Sequence, residues 1–135
     1  MRTTAISLCF LALAAGGCGG AASSADDFDG EQKAIAEVVE DLQDASSSDE
    51  PRRICEEILA ADLKRQTGDC PKAVDEALKD ADLYELKVTK VEPADITDAT
   101  KTATATVEAG TDGDQVEKIT LVREGKSWRI SKLAG

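Results

Sequence analysis

Thr102-Ala103-Thr104-Ala105-Thr106-Val107 alternates hydroxyl-bearing and small apolar residues with a period of two. That is the pattern of a strand with one face turned to a core and the other to solvent. Working outward, the same spacing holds for Tyr84, Leu86 and Val88 before it, and for Ile119 with Leu121 and Trp128 with Ile130 after it. Turn signals separate these runs: Glu92-Pro93, Gly110-Thr111-Asp112-Gly113 and Glu124-Gly125. Towards the N-terminus the period changes. Ile35, Val38, Val39 and Leu42 form one stripe of an amphipathic helix, and Asp29 with Gln32 three residues on predicts its N-terminal cap. Residues Ala45 to Glu50 predict a loop, and Pro51 opens a second helix with Ile54, Ile58 and Leu59. A short helical stretch around Leu63 ends at Gly68, and Cys70-Pro71 opens another helix with Ala73, Val74, Ala77 and Leu78. Helices followed by strands predict an α+β domain, its antiparallel sheet covered on one face by the helices.

The 135 residues fit one such domain. With 27 acidic and 16 basic side chains the formal charge is −11. This argues against nucleic acid or an anionic membrane surface as partner, since clustered Lys and Arg hold both. No histidine is present, which removes His-based triads and imidazole metal ligands. From Cys18 to Asp80 there are 17 acidic and 7 basic side chains; from Ala81 to Gly135 there are 10 and 8. The acidity therefore belongs to the helical half, and a solvated outer face accounts for it better than a cation site.

The start of the chain reads as an export signal. Met1-Arg2 precedes an apolar run from Ala5 to Ala15, then Gly16-Gly17-Cys18-Gly19-Gly20. The run is about half the ~20 residues that span a bilayer as a helix and suits a signal-peptide core. The segment resembles a bacterial lipoprotein signal. This implies a signal peptide over residues 1–17, with Cys18 diacylated and first in the mature chain. The alternative is ordinary secretory cleavage near Ala14. Parity among the four cysteines separates the two. Cys9 leaves with the signal either way, lipidation uses Cys18, and Cys55 and Cys70 remain as an even pair, whereas ordinary cleavage strands an exposed thiol. Residues 18–28 then read as a flexible, lipid-anchored tether and 29–135 as the folded domain.

Outside the cytoplasm Cys55 and Cys70 are expected to pair. Closing a loop of about fifteen residues is worth ~3 kcal/mol in the chain-entropy model. Their spacing is not Cys-x-x-Cys and no histidine completes a zinc shell, so a redox or metal role gives way to a structural bridge.

Cys55-Glu56-Glu57-Ile58-Leu59, Gly68-Asp69-Cys70-Pro71 and the closing Leu121-Val122-Arg123-Glu124-Gly125-Lys126-Ser127-Trp128-Arg129-Ile130, in this order, resemble small actinobacterial lipoproteins of the nuclear transport factor 2-like superfamily. The resemblance implies a cystatin-like α+β cone: about three N-terminal helices packed on a curved antiparallel sheet of about four strands. It implies an interior in which Tyr84, Leu86, Trp128 and Ile130 could line a cavity. It leaves function open, because the superfamily holds ketosteroid isomerase-like and polyketide cyclase-like enzymes beside non-catalytic binding modules.

An isomerase needs a carboxylate base in an apolar pocket with convergent donors, and no acidic pair here has a recognisable spacing. After removal of the signal the aromatics are Phe28, Tyr84 and Trp128, a poor supply for pocket walls. Leu86, Val88, Val107, Ile119, Leu121, Trp128 and Ile130 are expected to fill the interior. Asp112 and Asp114 beside Gly113 lack EF-hand spacing and read as a turn. Thr102, Thr104 and Thr106 read as a solvent-facing strand face. Arg123, Lys126, Arg129 and Lys132 form a basic cluster that could dock an acidic partner. The Gln-x-Val-x-Gly loop of cystatin protease inhibitors is not present. The sequence thus predicts no catalytic residues, cofactor or metal, and a lipoprotein on the outer face of the cell membrane with a protein or envelope partner. The alternatives are a small-molecule carrier or sensor using the cone cavity and, third, a ketosteroid isomerase-like or polyketide cyclase-like enzyme.

Overall fold

The computed structural model describes residues 24–80, 86–109 and 115–133. A 3-10 turn at Ser24–Asp27 leads into α1 (Gly30–Ser47), α2 (Pro51–Arg53, continued by a π-helical stretch Ile54–Ile58), α3 (Ala61–Thr67) and α4 (Cys70–Asp80). Strands β1 (Leu86–Glu92), β2 (Thr102–Ala109), β3 (Gln115–Glu124) and β4 (Ser127–Lys132) follow. They form one antiparallel sheet in the order β1-β2-β3-β4. The fold is α+β with helices before strands, as the change of period predicts. Four helical segments take the place of the three implied by the resemblance.

The alternation in β2 sets the register of the core. Ala103, Ala105, Val107 and Ala109 are buried, and their cross-strand partners include Leu121, Ile119 and Val88. Against this face α1 lays Ile35, Ala36, Val39, Leu42 and Ala45 in one apolar cluster with Ile54, Ile58, Trp128 and Ile130. The seven residues expected inside are all buried.

Three local expectations change. Helix α1 continues through Ser47, where a loop was expected from Ala45. Ala45 is buried, and the Ser46 and Ser47 hydroxyls donate to the carbonyls of Leu42 and Gln43, so the serines are accommodated within the last turn. Asp29 holds the N-cap position of α1 without a side-chain cap bond, and Gln32 is used elsewhere: its Nε2 donates to the carbonyls of Val91, Pro93 and Ala94. The folded body also includes Ser24–Phe28, ahead of the boundary expected at Asp29. Ser24 and Ala25 are buried, the Glu40 carboxylate accepts from the Ser24 hydroxyl and the Ala25 N–H, and Phe28 packs on the core. Polar, small residues read as tether because their hydrogen-bond partners lie 15 to 64 residues away. The signal segment, Cys18 and the rest of the expected tether lie outside the described residues.

Both sheet edges are occupied. Along β1, Gln43 Oε1 accepts from the Leu86 N–H, Ser24 Oγ accepts from the Val88 N–H, and Gln32 reaches the Val91 carbonyl. Along β4, Leu59 forms a parallel bridge to Ile130, whose carbonyl accepts from the Ala60 N–H. Uncovered edges template pairing with other chains, and here both are engaged from within.

The Cys55–Cys70 disulfide is present, with a Cα–Cα distance of 6.1 Å. It fastens α4 to the π-helical stretch. The Asp69 carboxylate accepts from the Lys72 N–H at 3.4 Å and starts α4 as an N-cap.

The acidic helical half carries its own local pairing. Arg53 sits among Asp41, Asp44, Glu50 and Glu57 at 2.8 to 3.6 Å. Its guanidinium is held charged well beyond its ordinary range, chiefly by the Asp44 and Glu50 hydrogen bonds. Asp41 goes the other way: burial pushes its carboxyl up, and Arg53 only partly opposes this. A raised acid pKa favours folding below the unfolded value of 3.8 and loses that contribution as pH rises through the folded value. Asp41→Asn is therefore expected to stabilise the fold at neutral pH. Because the side chain is more than half exposed, the gain is only about a few tenths of a kcal/mol, shrinking towards pH 3 in urea titrations.

Candidate functional site

The inner face of the sheet holds polar chemistry at one corner, where the β3–β4 hairpin meets the first turn of α1. Arg123 and Trp128 are a cross-strand pair, and the Arg123 guanidinium stacks 4.8 Å over the indole ring. Glu31 Oε2 accepts from the indole N–H at 2.7 Å and from Arg123 at 3.1 Å. Asp98, fully exposed, stands 3.8 Å from the other guanidinium nitrogen. The Arg123 side chain is only 10% exposed, and its Nε has no partner among the described residues.

This cluster is a staple, not a pocket floor. Trp128 is buried and its one donor is spent on Glu31, while Glu31 closes the charge on Arg123. The arrangement fixes the entry of α1 onto the hairpin. Glu31→Ala is expected to cost about 1–3 kcal/mol, because it strands a nearly buried guanidinium and an indole N–H. Glu31→Gln keeps an acceptor and costs less. The single Trp makes its fluorescence a direct reading: the Ala variant shifts Trp128 emission to the red and the Gln variant does so weakly.

The opposite face of the sheet is uncovered by α1. In register across the strands, Lys87 stands opposite Glu108, and Lys90 opposite Thr106, which stands opposite Lys118. The next row runs Glu92, Thr104, Thr120 and Lys132; the one after pairs Thr102 with Val122 and Val122 with Arg129, and Glu124 stands opposite Ser127 at the end. All are exposed or half-exposed. Lys90 bridges Glu92 at 2.8 Å, and together with Lys118 it holds the Glu92 carboxyl below its ordinary range. The threonines are solvent-facing, as their alternation predicts.

Three of the four cavity-lining candidates are among the described residues. Trp128 and Ile130 lie two apart on β4, whereas Leu86 begins β1 at the diagonally opposite corner of the sheet. All three are core. Tyr84, Asp112 and Asp114 lie outside the described residues. The expected basic cluster disperses. Arg123 turns inward to Glu31, Arg129 donates to the Glu56 carbonyl at 2.7 Å, and Lys126 and Lys132 are exposed at opposite ends of the hairpin. Alternation within the hairpin could have shown this, because it assigns Arg123 and Arg129 to opposite faces. Lys87, Lys90 and Lys118 are the basic residues that sequence reasoning passed over; they become neighbours only through strand pairing. No group of three or more candidate metal-ligating side chains occurs among the described residues, and no described helix is long and apolar enough to cross a membrane.

Comparison with family models, with curated proteins and with solved structures finds no match for this chain.

Proposed function

We propose that the chain is an exported lipoprotein, anchored through a diacylglyceryl group on Cys18 to the outer face of the cell membrane. Its α+β domain would be a cystatin-like cone of the nuclear transport factor 2-like kind, acting as a non-catalytic module that binds a protein or envelope component. The Cys55–Cys70 bond carries the export reading, since such bridges persist outside the reducing cytoplasm. Register shifts between Val88 and Lys90 and between Thr120 and Leu121 support a curved sheet, because bulges bend the strands they interrupt. The binding reading is supported by the mutual pairing of Glu31, Arg123 and Trp128: apart from Arg123 Nε, the polar groups that converge on this corner of the inner face serve one another, which favours recognition by the outer surface.

The mass of the detergent-extracted protein tests the anchor. The expected value is that of a chain beginning at Cys18 plus a diacylglyceryl group, and Cys18→Ser moves the protein out of the membrane fraction. Retention of the Ser variant in membranes overturns the anchor. Titration with apolar ligands that leaves Trp128 emission unchanged agrees with a core role, and saturable quenching favours the carrier reading instead.

A further inference from the structure

We propose that the uncovered face of the sheet docks on the anionic phospholipid surface of the membrane that holds the anchor, which leaves the helical layer facing away. The inference rests on the anchor reading and adds an orientation to it.

Total charge argues against such a surface, but the charge is segregated. The uncovered face carries Lys87, Lys90, Lys118 and Lys132, with Arg129 at the β4 edge where it also reaches the Glu56 carbonyl, against Glu92, Glu108 and Glu124. The helical layer on the other side is acidic, with four carboxylates around Arg53 alone. An anionic plane therefore attracts one side of the domain and repels the other. Each Lys or Arg close to such a plane contributes independently, and the attraction dies within a Debye length.

Geometry brings the face within that range. Ser24 belongs to the body, so at most six residue steps separate the body from Cys18, a span that can reach no more than about 20 Å. Ser24 is fixed against β1 by the Val88 N–H at 3.2 Å, between Lys87 and Lys90 in sequence. The chain thus reaches the body at the sheet edge that carries two of the cations. The half-exposed hydroxyls of Thr104, Thr106 and Thr120 add donors to a face without bulky apolar side chains at its centre. Such a face fits phosphate headgroups better than an apolar partner.

The test uses the chain from Cys18 onward, coupled through the Cys18 thiol to a maleimide phospholipid, so that attachment does not depend on lipidation in the cell. Cys55 and Cys70 are bonded to each other and do not compete. Lysine acetylation is then compared on phosphatidylcholine vesicles and on vesicles containing one-third phosphatidylglycerol. Lys87, Lys90, Lys118 and Lys132 are expected to be protected at least about threefold on the anionic vesicles, with protection lost in high salt, while Lys64, Lys72 and Lys79 on the helices react equally on both. A Lys87→Glu/Lys90→Glu/Lys118→Glu variant should lose the protection of Lys132 while Trp128 emission stays native. Equal reactivity on the two vesicles, protection of the helical lysines, or concentration-dependent protection that reports a second copy on the face overturns the proposal. The anchor reading fails separately, on the mass of the native protein.

Discussion

Replacing Cys55 and Cys70 together by serine is expected to lower the stability of the domain by about 3 kcal/mol, read in urea denaturation as a fall in the midpoint. The two cysteines are 15 apart, and the reduced chain regains the freedom of that loop when unfolded. The location makes the loss visible locally as well. Cys70 is the only buried residue among the described side chains of α4; Val74 and Leu78 are only partly buried. Without the bridge α4 keeps its Asp69 cap and a half-covered apolar stripe, which are weak restraints on an 11-residue helix. Amide exchange in α4 should accelerate on reduction well before exchange in β2 and β3 does. A loss below about 1 kcal/mol, or uniform acceleration across the domain, would show that loop closure is not what the bridge supplies.

Ile130→Ala is the second large effect, expected at about 2–5 kcal/mol. Ile130 is fully buried, pairs with Leu121 across the hairpin and bridges Leu59 on its other side. Its backbone receives the Ala60 N–H, so the side chain sits where the edge of the sheet is closed by the exit from α2. Truncation leaves a cavity between two backbones that are tied to each other and cannot collapse onto it. Val116→Ala is the control: Val116 is 63% exposed, and its loss should stay within about 0.5 kcal/mol. Equal effects of the two substitutions in urea denaturation would contradict the placement of the core.

Periodicity made the core of this fold legible. The stripe Ile35, Val39 and Leu42 is buried, and the alternation of Ala103, Ala105 and Val107 marks the covered face. Two of its misses share one cause: side chains whose partners are distant in sequence. Gln32 reads as part of a helix cap but serves the strand 59 residues on, and Ser24 reads as tether but completes β1. Ser46 and Ser47 read as a helix end because local propensity counts against them, while burial of Ala45 and Leu42 carries α1 through.

At the candidate sites the same division holds. Trp128 was readable as core from its place in the closing hairpin. Its partners Glu31 and Arg123 were not, since 97 residues separate the indole from the carboxylate that takes its proton donor. The basic residues of the hairpin formed a cluster along the chain and are dispersed in space.

By itself the sequence determined the order of helices and strands, the covered face of β2, the pairing of Cys55 with Cys70, and the net charge of −11. These follow from local period, cysteine parity and composition, which need no knowledge of neighbours. Only the tertiary structure decided which face of the sheet each charge occupies. Antiparallel pairing gathers Lys87, Lys90, Lys118 and Lys132 from three strands onto one face, and turns Arg123 away to the other. Strand register assigns side chains to a face by twos and to neighbours by hydrogen bonds, and neither is a property of composition.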